Sequence, residues 1–177
     1  MALIPVFVSL LFYQKFLLAL AVFILAGVTD GLDGLLARRF HQQSPLGRIL
    51  DPVADKMMLV TSFVVLSMKS VFPEPIPKHL PVPFWVTITV ISRDVFILVS
   101  AAAINMVTGF RGFQPSLPGK ISTAVQILAL AAVILAAQIR VGSGYYLPTL
   151  YTSVFTLALI SGIHYIFFVS RLMNQDK

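Results

Sequence analysis

An all-α fold, an integral membrane bundle of six helices, is what this sequence predicts, and three observations carry that reading. Of the 177 residues, 58% are hydrophobic and 11% charged, where an ordinary globular chain has roughly a quarter of its residues charged. Mean hydropathy is +0.90. The apolar residues gather into runs of span length, separated by proline, glycine and basic residues. At about 20 residues per crossing, the chain holds five or six spans and leaves no room for a separate soluble domain, so residues 1–177 read as one transmembrane domain. A secreted scaffold, a nucleic-acid-binding module and the large soluble α/β folds are excluded. The absence of cysteine removes disulfides and thiolate metal sites as well. The formal charge of +6 is assigned to loop orientation and to contact with anionic membrane lipids, and not to nucleic acid.

The elements follow in order. Leu3 to Tyr13 rises only about 17 Å as a helix, short of a hydrocarbon core of about 30 Å. A single helix over residues 2–28 places Lys15 near mid-membrane at about 3 kcal/mol. Two helices turning at Tyr13-Gln14-Lys15 are therefore expected, the first shortened at its start, and no basic segment marks a cleavable signal. Phe16 to Val28 is an apolar run leading into Thr29-Asp30, and Leu59 to Val71 is another, entered through Asp51 and Asp55. Pro73, Pro75, Pro77, Pro81 and Pro83 make 72–83 an irregular connection. Pro81 to Val107 holds Arg93-Asp94 within it. Ile121 to Ile139 is the cleanest span, and Gly142-Ser143-Gly144 reads as the turn that follows. Tyr145 to Leu172 is the last span, with Tyr145, Tyr146 and Tyr151 as an aromatic belt at one end and His164 as a core histidine.

Basic residues orient the bundle. Arg38, Arg39, Arg48, Arg111, Lys120, Arg171 and Lys177 fall on one side, and Lys15, Lys69, Lys78 and Arg140 on the other. Seven against four makes the Arg38 side cytoplasmic.

Seven acids remain, Asp30, Asp33, Asp51, Asp55, Glu74, Asp94 and Asp176, and four of them fall between residues 30 and 55. Carboxylates beside hydrocarbon segments are rare unless they serve a function there. Asp30, Asp33, Gly34, Ala37 and Arg38 share one helical face, at i, i+3, i+4, i+7 and i+8. Ser44-Pro45 reads as an N-cap followed by the first helical residue. The next helix carries Gly47, Asp51 and Asp55 on one face, with Pro52 kinking it nearby. Two helix ends thus bring four carboxylates toward one point at the cytoplasmic interface. Like charges so placed raise one another's pKa, and burial penalises them further, so divalent cations are the natural compensation. All-oxygen ligation suits two ions of Mg²⁺ or Mn²⁺ and admits Ca²⁺, with Zn²⁺ less natural. Gly34, Ala37 and Gly47 leave room beside them for a bulky ligand, and Arg38 is placed to meet a phosphate oxygen.

Taken together, Asp30-x2-Asp33-Gly34-x2-Ala37-Arg38-x8-Gly47-x3-Asp51-x3-Asp55 resembles the signature of the CDP-alcohol phosphatidyltransferase family, position for position. Eight fixed positions coincide by chance with a probability of about 10⁻¹⁰ per start site at average residue frequencies. The resemblance covers nearly the whole chain, with six helices and the signature spanning the second and third. It implies transfer of a phosphatidyl group from CDP-diacylglycerol to an alcohol acceptor with release of CMP, by an enzyme that is usually a homodimer. It further implies that Asp30, Asp33, Asp51 and Asp55 hold the metals and that Asp55 acts as general base on the acceptor hydroxyl. Gly34, Ala37, Arg38 and Gly47 line the site of the CDP-lipid.

The acceptor is less sharply marked. Gly119-Lys120-x2-Thr123-x2-Gln126 resembles a stretch of family members that make phosphatidylglycerol phosphate and cardiolipin, which makes Lys120 a candidate acceptor contact. Arg93 and Arg111 complete that candidate set, although Arg93 and Asp94 equally read as a buried pair that neutralises itself. Glycerol 3-phosphate is the first-choice acceptor. Phosphatidylglycerol is the alternative, because Ser92-Arg93-Asp94 also resembles the cardiolipin synthases of the family. Lys56, about 100° around the helix from Asp55, reads as structural. Two plainer readings compete for the four aspartates. An ion-pair cluster with Arg38, Arg39, Arg48 and Lys56 does not need small residues on the same faces. A carboxylate-lined ion transporter, the alternative of a different class, does not explain Gly34, Ala37 and Gly47 together.

Overall fold

The computed structural model describes residues 3–39, 47–108, 117–139 and 143–175, and the side chains of 3–29, 56–100, 117–139, 144 and 146–167. Among them are six α-helices and no strand: α1 (Leu3–Phe12), α2 (Phe16–Arg39), α3 (Gly47–Leu66), α4 (Phe84–Thr108), α5 (Leu117–Ile139) and α6 (Ser143–Gln175). The expected break between the first two helices is present. Gln14 takes a left-handed φ of 57°, and the Gln14 and Lys15 amides donate to the carbonyls of Leu11 and Leu10. Those bonds satisfy the end of α1 as the chain reverses.

The apolar run over 59–71 is not helical throughout. α3 already begins at Gly47 and is 20 residues long by Leu66, a span length in itself. Beyond it come a single 3₁₀ turn, Lys69–Val71, and the proline-rich connection. That connection folds back on the bundle: the Val82 amide donates to the Leu66 carbonyl at 2.9 Å. Pro81 and Pro83 delay the next helix to Phe84, and the amides of Val86 and Thr87 then bond the Pro83 carbonyl. α5 starts four residues earlier than the apolar run suggests, with Pro118 in its first turn, where its missing N–H costs nothing. Ser143 and Gly144 belong to α6 and not to a turn. Residues 44 and 45, expected to cap α3, lie outside the described residues.

Contacts at one end fix the relative directions of the helices. Phe16 stacks on Phe72 with ring centroids 6.0 Å apart, so the 13–15 turn meets the α3–α4 connection. The Tyr151 hydroxyl donates to the His79 carbonyl at 3.0 Å, and Trp85 meets Phe155 edge-on at 5.4 Å, which brings the start of α6 to the same end. Lys15, Lys69 and Lys78 therefore share one end of the bundle, as their expected side requires. The far ends of α2, α4 and α6 and the starts of α3 and α5 lie opposite.

The core is a set of helical stripes. α2 buries Phe16, Ala19, Phe23 and Ala26; α3 buries Met58, Leu59, Ser62, Phe63 and Leu66; α6 buries Leu147, Tyr151, Val154, Ala158 and Ser161. Two expectations about side chains are corrected by these stripes. Tyr151 is not part of an interface belt: it is 3% exposed, because it sits four residues beyond Leu147 on the inward stripe. His164 is not a core residue: it is exposed, one position before the buried Tyr165 and so about 100° off the stripe. Helices Leu117–Ile139 and Tyr146–Phe167 are long and apolar enough to cross a membrane. Among the described residues, α2 and α3 contribute shorter apolar stretches, Phe16–Thr29 and Lys56–Leu66.

Candidate active site

The buried stripe of α2 runs through positions 16, 19, 23 and 26. Continued at the same spacing of three and four residues, it reaches 30, 33 and 37, which are Asp30, Asp33 and Ala37 in the same unbroken helix. The stripe of α3, read back from Ser62 and Met58, reaches 55 and 51, which are Asp55 and Asp51. In both helices the positions that face the core in one half of the bundle become acidic in the other half. α2 ends with the first signature residues and α3 opens with the rest, so the eight signature positions occupy adjoining helix ends. The side chains of Asp30, Asp33, Gly34, Ala37, Arg38, Gly47, Asp51 and Asp55 lie outside the described residues, as does Arg111 altogether. Among the described residues no group of three metal-ligating side chains occurs.

The donor set nevertheless fits hard divalent cations. Four carboxylates, spaced i, i+3 in α2 and i, i+4 in α3, would supply oxygen and no sulfur or imidazole. That is the chemistry Mg²⁺ and Mn²⁺ select.

Next to this region is a described cluster of charges. The Lys56 ammonium donates to Asp94 Oδ1 at 2.7 Å, and Arg93 Nη1 donates to the same oxygen at 2.6 Å. Arg93 Nη2 bonds the Ser161 hydroxyl on α6 at 2.5 Å. Arg93 is 8% exposed and Asp94 3%. The expected Arg93–Asp94 pair is thus present, but it has a third member in Lys56 and an anchor on α6. Arg93 has both terminal nitrogens committed. Its Nε, and Asp94 Oδ2, are buried without a hydrogen-bond partner among the described residues. Sequence reading missed the Lys56–Asp94 contact, which joins residues 38 apart.

Lys120, by contrast, is exposed in the first turn of α5, at the same end of the bundle as the last turns of α2. Thr123 bonds back to the Gly119 carbonyl at 3.1 Å. Gln126 is fully buried with Nε2 on the Ser122 hydroxyl at 3.4 Å. Of the Lys120, Thr123 and Gln126 set, Lys120 is the exposed one.

A helical membrane bundle with an acidic signature at adjoining helix ends defines the class, and comparison with known proteins gives the family. The sequence matches the CDP-alcohol phosphatidyltransferase family over residues 1–168, and the chain belongs to that family. It is 32% identical over 178 residues to the human protein named cardiolipin synthase (CMP-forming), an alignment taking in 91% of this chain and 56% of that protein. It is 30% identical over 181 residues to a Blochmanniella floridana protein named CDP-diacylglycerol–glycerol-3-phosphate 3-phosphatidyltransferase, covering 98% of this chain and 88% of the relative. A Streptomyces coelicolor protein named cardiolipin synthase (CMP-forming) is 32% identical over 165 residues, with 89% and 70% covered. The chain spans a little over half the length of its human and rat relatives, 56% of each. Family and apolar helices together make this a membrane protein, and the ion-transporter alternative gives way to the family.

Proposed function

We propose that this chain transfers a phosphatidyl group from CDP-diacylglycerol to an alcohol acceptor, releasing CMP, with glycerol 3-phosphate as the acceptor and phosphatidylglycerol phosphate as the product. The observation that carries the reading is the acidic continuation of the α2 and α3 core stripes, within a chain that matches the family over residues 1–168.

Asp30, Asp33, Asp51 and Asp55 hold two divalent cations, Mg²⁺ or Mn²⁺. When bound, these supply Lewis-acid polarisation of the phosphoryl oxygens and charge compensation for the leaving group. Asp55 takes the proton of the acceptor hydroxyl as its oxygen forms the new bond to the β-phosphorus of the donor. The bond from that phosphorus to the CMP oxygen breaks, and CMP departs with the electron pair. Arg38 holds a pyrophosphate oxygen of the donor, and Gly34, Ala37 and Gly47 leave space for its head group. Lys120, exposed at the first turn of α5, binds the acceptor phosphate together with Arg111; Arg93, committed to Asp94 and Ser161, supports the site from within. The chain is multi-pass with the acidic end cytoplasmic, where a soluble acceptor and CMP exchange with water while the diacyl tails stay in lipid. The active unit is a homodimer, which light scattering of the detergent-solubilised protein tests.

A second reading makes phosphatidylglycerol the acceptor and cardiolipin the product. It is favoured by the commitment of Arg93, which leaves Lys120 as the exposed cation at that end among the described residues. Supplying labelled CDP-diacylglycerol with glycerol 3-phosphate or with phosphatidylglycerol, and identifying the lipid formed, decides between the two. CMP release with neither alcohol, nor with any other, overturns both.

A further inference from the structure

Three helices meet at a single carboxylate oxygen. Asp94 Oδ1, on α4, accepts Lys56 from α3 at 2.7 Å and Arg93 at 2.6 Å, and Arg93 in turn holds Ser161 on α6. Neutralisation does not explain the arrangement. Arg93 and Asp94 balance each other without Lys56, and adding Lys56 leaves the trio with one excess positive charge. Nor does satisfaction of the carboxylate, since Oδ2 is buried with no partner among the described residues while Oδ1 serves two cations. What the arrangement accomplishes is convergence: one atom ties α3 to α4 and, through Arg93, to α6.

Lys56 is the residue after Asp55. A helix is rigid over one turn, so holding Lys56 at a set azimuth holds the azimuth of its neighbours, the i, i+4 pair Asp51 and Asp55 included. Elsewhere α3 is fixed mainly by apolar side chains such as Met58, Leu59 and Phe63, and apolar contact is non-directional. The charged contact adds a directional tie at the boundary between the apolar and the acidic halves of the helix. The other directional ties of α3, Thr87 Oγ1 on the Phe63 carbonyl at 3.4 Å and the Val82 amide on the Leu66 carbonyl at 2.9 Å, lie toward its opposite end.

We infer that Asp94 and Lys56 are positioning residues: their ion pair, braced by Arg93 and Ser161, sets the rotation of α3 and so holds Asp51 and Asp55 in register for metal binding. The inference rests on the proposal that these aspartates bind divalent cations.

The test exploits a difference in sign. Lys56→Met removes a cation beside the aspartates, so by electrostatics alone Mn²⁺ binds more tightly; loss of the pin makes it bind more weakly. The substitution leaves the Arg93–Asp94 pair intact, which favours folding. The full chain, in lipid nanodiscs, is titrated with Mn²⁺ alone, and free Mn²⁺ is read by electron paramagnetic resonance, normalised to folded protein. The expected result is a Kd raised about 10–100-fold in Lys56→Met, the range for groups that orient metal ligands without touching the metal. Recovery toward wild type is expected in Lys56→Arg, which restores the ion pair. Asp94→Asn, the second variant, weakens Mn²⁺ as well. A purely structural role lowers the melting temperature but leaves the Kd of the folded fraction unchanged. An unchanged or lowered Kd in Lys56→Met overturns the positioning role while the metal site stands. Failure of the wild type itself to bind Mn²⁺ overturns the metal site, and the positioning role with it.

Discussion

At the scale of single residues, the four aspartates and Lys120 carry the sharpest expectations. Removing one ligand from a binuclear site leaves the remaining carboxylates uncompensated and misplaces both ions. Asp30→Ala, Asp33→Ala and Asp51→Ala are each expected to abolish CMP release, and a chelator is expected to do the same to the wild type until Mg²⁺ or Mn²⁺ is returned. Full turnover in excess chelator contradicts the assignment. Asp55 is expected to behave differently, because a base is needed for turnover more than for binding. Asp55→Asn should keep CDP-diacylglycerol binding and lose roughly 10²–10⁴-fold in rate; a parallel loss of donor affinity makes it chiefly a ligand. Lys120 is exposed and off the buried stripe of α5, so its truncation does not disturb the core. Lys120→Ala is expected to raise the KM for glycerol 3-phosphate by about 10–100-fold, a loss of about 1.4–3 kcal/mol for a charge-assisted contact. The donor KM should hardly move, and an unchanged acceptor KM directs attention to phosphatidylglycerol.

At the scale of elements, the packing at the 13–15, 67–83 and 143–146 end is held by specific polar contacts as well as by rings. Tyr151 reaches from α6 to the His79 carbonyl at 3.0 Å. His79 itself sits at a left-handed φ of 65°, a conformation uncommon for a residue with a side chain. Tyr151→Phe keeps the ring and deletes the hydroxyl. The expected cost is about 0.5–1.5 kcal/mol, seen as a melting temperature lower by a few degrees, with CMP release unaltered because the acidic end lies opposite. The same elements show how much of the molecule was legible in advance. Hydropathy and the cost of placing Lys15 in hydrocarbon were enough for the six helices and the break after Tyr13. The spacing of eight residues was enough for the family, and it assigned the signature to the end of one helix and the start of the next. The rotational phase of α6 is carried only by a weak signal, Thr149, Thr152 and Thr156 on an exposed face opposite the buried Leu147, Tyr151, Val154 and Ala158. Hydroxyls that bond back to their own helix suit either environment; Tyr151 and His164 were accordingly assigned to each other's environments. The partner of Lys56 was not legible. No local spacing rule connects α3 to a carboxylate on α4, and only the packing of the two helices brings them together.

At the scale of the whole molecule, the question is which way the bundle sits in its membrane. Lys15, Lys69 and Lys78 share the end closed by the α3–α4 connection, while Arg38, Arg39, Arg48 and Lys120 belong to helix ends on the other side. The bias of basic residues predicts a cytoplasmic acidic end, and the proposed chemistry requires the same orientation, because glycerol 3-phosphate would arrive and CMP leave through water on that side. The chain contains no cysteine, so a single introduced thiol reports its own location without background. Gln43→Cys, between α2 and α3, is expected to react with a membrane-impermeant maleimide only in inside-out vesicles. Lys78→Cys, in the α3–α4 connection, is expected to react only in right-side-out vesicles or intact cells. Labelling of both from the same side means that α3 does not cross the membrane. The reverse pattern places the aspartates on the outer face, away from a cytoplasmic acceptor, and the proposal of glycerol 3-phosphate as substrate fails with it.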